Sequence, residues 1–127
     1  MKRNVTLFER QNYPSPTGNI QLFTHDPGLV DVLGQAKDIR FQIFVYKKSA
    51  TCQMDLKVYE SADAQTTPRE AGNLVSTINR AVVGGHFQTV TGPMCGRIEV
   101  TLEISDTGGP AAQDMDLEVF ATLIIEE

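Results

Sequence analysis

The sequence predicts an all-β protein, a two-sheet β-sandwich of about seven or eight antiparallel strands with jelly-roll or Greek-key connections. Apolar and polar residues alternate strictly along several stretches, and successive side chains of a strand point to opposite faces of a sheet. Turns rich in Gly and Pro separate these stretches at spacings of roughly 10–15 residues. The chain has 127 residues, the usual size of one domain, so we expect a single sandwich spanning residues 1–127.

Seven stretches are predicted to be strands from this alternation. In residues 51–60, Cys52, Met54, Leu56 and Val58 share one face, while the other face is mostly polar. This pattern is typical of a strand with one buried side. The full set in chain order is residues 5–10, 20–24, 39–48, 51–60, 86–90, 97–105 and 115–125.

Residues 74–83 are compatible with either a strand or a helix. Thr67, Pro68 and Glu70 fit a capping box with Pro at the first helical position, and the apolar residues that follow fall at helical spacing. Many of the same residues are β-branched, which favours a strand. We prefer the strand slightly, because its neighbours are strands. Residues 29–36 are expected to form one helical turn or a short crossing segment.

The first 18 residues are polar and contain prolines. Residues 5–10 are a candidate strand, and residues 12–19 are predicted to be a loop containing Tyr13, Pro14 and Gly18. This segment is hard to place in a core. Residues 1–18 are therefore considered as an extended N-terminal arm that makes contacts with other molecules.

The charge balance argues against two classes of partner. The chain carries 11 Lys and Arg against 16 Asp and Glu, a formal net charge of −5. Nucleic acids and anionic membranes are bound mainly through Lys and Arg, so neither is an expected partner. No apolar stretch approaches the roughly 20 residues of a spanning helix, and none follows the basic start as in a signal peptide. We expect the protein in the cytoplasm or in a virion.

The sequence supplies few of the parts that catalysis or metal binding requires. His25 and Asp26 are the only adjacent histidine and acid, and neighbours in a chain point in different directions, so no catalytic residue is predicted. The two histidines and two cysteines lack zinc-site spacing, and we expect no metal and no cofactor. One set of carboxylates could supply oxygen ligands to calcium, but a calcium site is disfavoured because the spacing of the set matches no calcium loop. That set is Asp63, Asp106, Asp114 and Asp116.

The two cysteines leave two alternatives open. Cys52 and Cys95 are interpreted as small buried apolar residues. The other interpretation is one disulfide between neighbouring strands, which synthesis in the cytoplasm disfavours.

Four apolar residues lie opposite the main apolar stripes of their strands and form the predicted interface. They are Phe44, Tyr46, Phe120 and Ile124. Each needs cover from another segment of the chain or from a neighbouring subunit. The favoured function is therefore a non-enzymatic structural or assembly protein, a homo-oligomer or a partner of other structural proteins, such as a virion component.

The alternative function is a ligand-binding module, most plausibly for carbohydrate. Exposed aromatic rings stack on sugar faces, and the candidates are Tyr13 in the proline-containing loop and Tyr59 on a polar strand face. Loops at one end of the sandwich would carry the site.

Two segments give the chain a resemblance to the discoidin-type, galactose-binding-like jelly rolls. Residues 58–63 (Val-Tyr-Glu-Ser-Ala-Asp) resemble the strand of those domains that ends in a Ser-x-Asp turn, and residues 97–102 (Arg-Ile-Glu-Val-Thr-Leu) resemble their later Arg-led strand. The resemblance implies a jelly-roll topology. Ala64 stands where a Gly is usual, and the tryptophan typical beyond it is absent.

The short, acidic chain, with few His and Cys residues and alternating strands, is also similar to small β-sandwich accessory proteins of bacteriophage particles, such as decoration or cement proteins. That resemblance implies a role in a virion.

Overall fold

A computed structural model describes residues 1–15, 20–62, 67–71, 73–91, 96–106 and 113–125. Within these residues the chain forms eight strands and three short helical turns, so the all-β prediction is confirmed. The strands are β1 (Lys2–Ser15), β2 (Ile20–Thr24), β3 (Asp38–Lys48), β4 (Cys52–Ser61), β5 (Asn73–Arg80), β6 (Gly84–Thr91), β7 (Arg97–Asp106) and β8 (Gln113–Ile124). The helical turns are a 3₁₀ turn at Pro27–Leu29, α1 (Val30–Leu33) and α2 (Pro68–Ala71).

The eight strands form two antiparallel four-stranded sheets. Sheet A has the order β1-β8-β3-β6, and sheet B has the order β2-β7-β4-β5. Except for β4 and β5, consecutive strands lie in different sheets, which is the double Greek-key arrangement of a jelly roll. The predicted jelly-roll topology is thereby confirmed.

The core lies between the two sheets and is filled by alternate residues of their strands. In β4 the predicted stripe of Cys52, Met54, Leu56 and Val58 is buried, with at most 1% of each residue exposed. The inward residues of β3, β7 and β8 join the same cluster. Burial of one such aliphatic side chain contributes about 1.5–3 kcal/mol, so the repeated alternation is the main source of stability.

The N-terminal segment is a strand rather than the arm considered for residues 1–18. Residues 2–15 form β1 and pair with β8, from Lys2 opposite Ile124 to Ser15 opposite Gln113. Two register shifts interrupt this pairing, and the first of them brings the consecutive residues Leu7 and Phe8 into the core. Bulges of this kind break strict alternation, which is why the pattern of a long strand is hidden in the sequence. Residues 16–18 lie outside the described part of the chain.

The contested segment is a strand along most of its length. Asn73–Arg80 forms β5, and only the residues before it are helical, in the single turn of α2. Glu70 N donates to Thr67 O at 3.0 Å at the start of this turn. Gly84, with φ of +123°, begins β6 after the turn, a conformation that favours glycine.

Of the two alternatives for residues 29–36, the structure shows the helical turn, as α1. Leu33 and Ala36 are buried in the core cluster, and α1 packs against β7. Gly34 permits this packing, because a Cβ at that position would lie 1.9 Å from the carbonyl oxygen of Gly96.

Candidate functional site

The four residues predicted to form an interface lie on the outer face of sheet A. Phe44 and Tyr46 come from β3, and Phe120 and Ile124 come from β8, the strand paired beside it. All four are half-buried. The pairing of β3 with β8 therefore brings Phe120 close to Phe44 and Tyr46, whereas Ile124, opposite Asp38, lies at the other end of the same face.

A fourth aromatic ring, Phe87 of β6, completes this surface. Gln42 of β3 lies opposite Phe120 on one side and opposite Phe87 on the other, so the two rings lie in one row across three strands. Phe87 is 53% exposed. We refer to Phe44, Tyr46, Phe87 and Phe120 as the aromatic face.

Two arginines of the same sheet partly cover the aromatic face. The guanidinium carbon of Arg10 lies 3.7 Å from the centroid of the Tyr46 ring, and that of Arg40 lies 4.6 Å from the centroid of Phe87. Cation–π contacts at exposed sites contribute about 0.5–1 kcal/mol each. The cover over these two rings thus comes from neighbouring side chains of the sheet.

A hydrogen-bonded network holds Tyr46 in place. Its ring stacks on Phe44 with centroids 5.1 Å apart, and its hydroxyl donates to Glu118 Oε1. Arg10 Nε lies 3.5 Å from Asp116 Oδ1. The hydrogen bond to Glu118 is the main reason that the pKa of Tyr46 is raised. The network joins residues of β1, β8 and β3 on this part of the face.

A shallow depression lies beside Phe120. It has a volume of about 410 Å³ and is lined by Asn4, Val5, Thr6, Gln42, Phe120 and Thr122. Thr122 Oγ1 donates to Asn4 Oδ1 at 2.7 Å. The lining combines an aromatic ring with uncharged amide and hydroxyl groups, which can hydrogen-bond a neutral polar molecule.

The outer face of sheet B is different, because its polar side chains bind one another. Lys57 Nζ lies 2.6 Å from Glu103 Oε2, and this hydrogen bond is the main reason that the pKa of Lys57 is raised. Asn79 Nδ2 donates to Asp55 Oδ1 at 2.8 Å.

Tyr59, one of the two predicted sugar contacts, belongs to the outer face of sheet B. It is half-buried on β4, opposite Leu74 of β5. The structure therefore does not bring it together with the aromatic face.

Tyr13, the other predicted sugar contact, is a core residue. It lies in β1 with 2% of its surface exposed, and its hydroxyl donates to Glu9 O at 2.7 Å. Its ring packs edge-on against Phe23, with centroids 4.9 Å apart, and burial raises its pKa. The prediction of an exposed loop tyrosine was wrong, because the proline that follows lies within a long edge strand, where proline is tolerated.

His25 and Asp26 do not form a catalytic pair. His25 Nδ1 donates to the backbone oxygen of Asp26 at 2.8 Å, and Nε2 accepts from Val100 N at 3.0 Å. The Asp26 carboxylate instead accepts from Gly28 N at 2.9 Å. Burial lowers the pKa of His25 and outweighs the nearby carboxylates of Glu99 and Asp26. An open cleft of about 520 Å³ lies alongside, but both ring nitrogens are already engaged.

Two of the four carboxylates that could bind calcium, Asp114 and Asp116, contact protein groups. Asp114 Oδ1 accepts from Ser49 Oγ at 3.1 Å, and Asp116 contacts Arg10. In the described ranges, no three His, Cys, Asp or Glu residues come together in a way that could hold a metal ion. Asp63 and the side chain of Asp106 lie outside the described part.

The structure describes only one of the two cysteines. Cys52 is buried in the core, with 1% of its surface exposed. Cys95 lies outside the described residues, so the alternative of a disulfide stays a prediction. The helices that the structure describes are all too short to cross a membrane.

Sequence reasoning missed Phe87, Arg10 and Arg40 as members of the candidate site. Phe87 was placed correctly in a strand, but its membership depends on β6 pairing with β3. Arg10 joins through the bulged strand β1. A non-local pairing of this kind leaves no signal in local alternation.

No protein-family model and no characterised protein sequence matches this chain. Among solved structures, it is similar to the VP2 protein in the subviral particle of infectious bursal disease virus, with a TM-score of 0.52 and 14% sequence identity. The alignment covers 98% of this chain but only 33% of the VP2 chain, so this chain spans about a third of that protein. A likeness at this level of identity shows a shared jelly-roll fold.

Two further solved structures align at lower TM-scores. One forms the disulfide-linked pili of Bacillus endospore appendages, with a TM-score of 0.46, 15% identity and coverage of 99% of this chain and 92% of that chain. The other is the carbohydrate-binding module TmCBM61 in complex with β-1,4-galactotriose, with a TM-score of 0.39, 14% identity and coverage of 91% and 67%.

Proposed function

We propose that this chain is a non-enzymatic assembly protein that associates with copies of itself through the outer face of sheet A. The observation that carries the proposal is the aromatic face, in which Phe87, on the edge strand β6, is 53% exposed. Aromatic rings grouped on one accessible surface are typical of protein interfaces. Association would remove them from water.

The dimensions of the sheet are suited to this role. Four strands about 4.8 Å apart and about ten residues long give a face of roughly 20 by 30 Å, or about 600 Å². A stable interface buries about 800 Å² on each partner, so the face and a few flanking residues are large enough. The two arginines lie over aromatic rings, and Arg and aromatic residues are both enriched at interfaces.

The assembly that we propose is a shell, and its location is a virion. The jelly-roll strand order supports this step, as does the fold shared with VP2 of infectious bursal disease virus, which forms a subviral particle. The engagement of both His25 nitrogens supports a non-enzymatic role. Negative-stain microscopy of the expressed protein and of its native extract tests the shell, since closed particles containing this chain are expected.

The interface is tested by sedimentation velocity from low to high micromolar concentration. We expect a species larger than the 14.0 kDa of one chain. Phe87→Ser should reduce its size, because the substitution removes the most exposed ring of the aromatic face. Ile20→Ser is the matched control, since Ile20 is 64% exposed but belongs to β2 in sheet B. A Phe87→Ser variant that sediments like the wild type would contradict the proposal.

Carbohydrate binding is a second candidate function, favoured by the depression beside Phe120. Its amide and hydroxyl groups could hydrogen-bond sugar hydroxyls while the ring stacks on a sugar face. A glycan array tests this function, and a sugar found there should bind more than tenfold more weakly to the Gln42→Ala variant. Tyr59→Ala is the control, because Tyr59 belongs to the other sheet. No binding across common sugars would remove this candidate.

A further inference from the structure

The open cleft beside His25 lies at the side of the sandwich where the strands β1 and β2 form the edges of the two sheets. β1 is an edge strand of sheet A and β2 is an edge strand of sheet B, and residues of both strands line the cleft. Its volume of about 520 Å³ falls within the roughly 300–1,000 Å³ of small-molecule sites. The cleft is therefore large enough to hold a small organic molecule.

Apolar side chains form much of the lining of this cleft, and several of them are aromatic. Phe8 and Tyr13 are buried, and Phe23 is half-buried. The rings pack edge-on, with centroids 6.4 Å apart for Phe8 and Tyr13 and 4.9 Å apart for Tyr13 and Phe23. The aliphatic residues of the lining are Val5, Leu7 and Leu29. A ligand with an apolar body would be removed from water by these groups.

The acidic residues of the lining are Glu9 and Asp26, and no Lys or Arg is among the described residues that line the cleft. The second register shift of β1 accounts for the position of Glu9. Residues 9 and 10 lie opposite a single residue of β8, and Arg10 extends over Tyr46 on the outer face of sheet A. Bulges often redirect a side chain in this way. The bulge thus separates an acidic residue, which lines the cleft, from a basic one, which does not.

Both acidic residues are exposed, and each retains carboxylate oxygens for a ligand. Asp26 uses Oδ1 to accept from Gly28 N at 2.9 Å, whereas Glu9 accepts from the Tyr13 hydroxyl with its backbone oxygen. Burial lowers the pKa of His25, so its ring is neutral near pH 7 and adds no positive charge. A cation in the cleft would meet two carboxylates and no competing positive charge from the described lining residues.

We propose that this cleft binds a small organic cation, an ammonium group carried on an apolar, ring-sized body. The body lies against Phe23 and Leu29, and the ammonium group donates hydrogen bonds to Glu9 and Asp26. Hydrogen bonds between an ammonium and a carboxylate are stronger than those between neutral groups, and aromatic rings attract ammonium groups as well. The same carboxylates would repel an anionic ligand. The cleft therefore selects its ligand by charge as well as by apolar contact.

Saturation-transfer NMR measures the binding of benzylamine, a ring that carries an ammonium group, and it is suited to assemblies of any size. Benzyl alcohol is the neutral counterpart, and benzoate carries the opposite charge. At pH 7 and low salt we expect a millimolar dissociation constant for benzylamine, about fivefold lower than for benzyl alcohol, and no binding of benzoate. Equal binding of benzylamine and benzyl alcohol would overturn the selection by charge. The absence of benzylamine binding would overturn the site.

Substitutions that remove only charge locate the ligand. Glu9→Gln and Asp26→Asn should each weaken benzylamine binding about threefold, and the double variant should bind it no more tightly than the wild type binds benzyl alcohol. Asn can still accept from Gly28 N, so the turn is retained. Asp55→Asn is the matched control, because it removes one carboxylate from the outer face of sheet B and keeps an acceptor for Asn79. A double variant that binds benzylamine like the wild type would overturn the proposal.

A lysine side chain of another protein presents the same ammonium group, and acetyl-lysine methylamide is its probe. We expect this compound to bind more weakly than benzylamine, because its two peptide groups would lie against apolar side chains without hydrogen-bond partners. Tighter binding would overturn the assignment to a small molecule. None of the residues that line the cleft belongs to the aromatic face, so Phe87→Ser should bind benzylamine like the wild type. Failure of the aromatic face as an interface therefore leaves this test unaffected.

Discussion

Both sheets are built from strands in which inward and outward residues alternate, but the outward side chains of the two sheets differ in chemistry. On sheet B several polar outward residues form pairs, such as Lys57 with Glu103 and Asn79 with Asp55, and the exposed apolar side chains of Ile20 and Leu22 lie on the edge strand β2. On sheet A the same kind of position holds aromatic rings, and Phe87 is half exposed. Polar groups can be satisfied by neighbours on one sheet, whereas a flat set of rings is removed from water only by a second surface. This difference is the reason that we propose the outer face of sheet A, and not that of sheet B, as the interface.

The largest change in stability is expected from substitution of Glu99, on the outer face of sheet B. It is an outward residue of β7, yet only 6% of it is exposed, and its Oε1 accepts from Arg69 N at 2.9 Å. Glu99→Ala should lower the free energy of unfolding by about 2 kcal/mol, because a charge-assisted hydrogen bond is lost and a backbone donor loses its partner. Urea denaturation measures this change.

Glu99→Gln is the control for the Glu99→Ala experiment. It retains a side-chain oxygen that can accept from Arg69 N, so the loss should be about half as large. If Glu99→Ala is as stable as the wild type, the outer face of sheet B is not held by its polar contacts, and the contrast between the faces is weakened.

The second prediction concerns pH and the end of sheet B. Beyond the last β2–β7 pair, the His25 ring accepts the hydrogen bond from Val100 N, and burial lowers its pKa. The unfolded chain takes up the proton near pH 6.5, whereas the folded chain does so only at lower pH. The stabilisation is therefore complete above about pH 6.5 and is lost as the pH falls through the lowered pKa of His25.

Urea denaturation at pH 7.5 and pH 5.5 measures this loss, which we expect to be about 1 kcal/mol for one hydrogen bond. His25→Gln cannot titrate in this range and should show a smaller decrease between the two pH values. His86→Gln should retain the wild-type decrease. Equal decreases in the wild type and His25→Gln would show that other groups cause the acid sensitivity.

Local alternation was sufficient to predict the fold, because the inward stripes of β3, β4, β7 and β8 are unbroken in the sequence. It located β2 at residues 20–24, and it favoured a strand for the segment that forms β5. It located only residues 5–10 of β1 and missed the rest of this long strand, where bulges interrupt the alternation and Leu7 and Phe8 are both buried. The bulges of β1 are determined by its pairing with β8, so they cannot be recognised from the sequence of β1 alone.

The candidate site could be predicted only in part, for the same reason. Phe44, Tyr46, Phe120 and Ile124 were identified because each lies opposite an apolar stripe. Their presence on one surface depends on β3 pairing with β8, and the addition of Phe87 depends on β3 pairing with β6. Individual residues of such a surface can be identified from one sequence, but which of them lie together depends on the order of the strands in the sheet.

The smallest expected effect compares one tyrosine on each outer face. Tyr46→Phe removes the hydroxyl that donates to Glu118 on sheet A, and it should lower the midpoint of thermal unfolding by about 2–3 °C. Tyr59→Phe, the matched change on sheet B, should lower it by less than about 1 °C, because the ring still packs against its neighbours. Both variants should assemble like the wild type, since each retains its ring. Equal midpoints for the two variants would mean that the network of Tyr46, Arg10 and Glu118 does not stiffen the aromatic face.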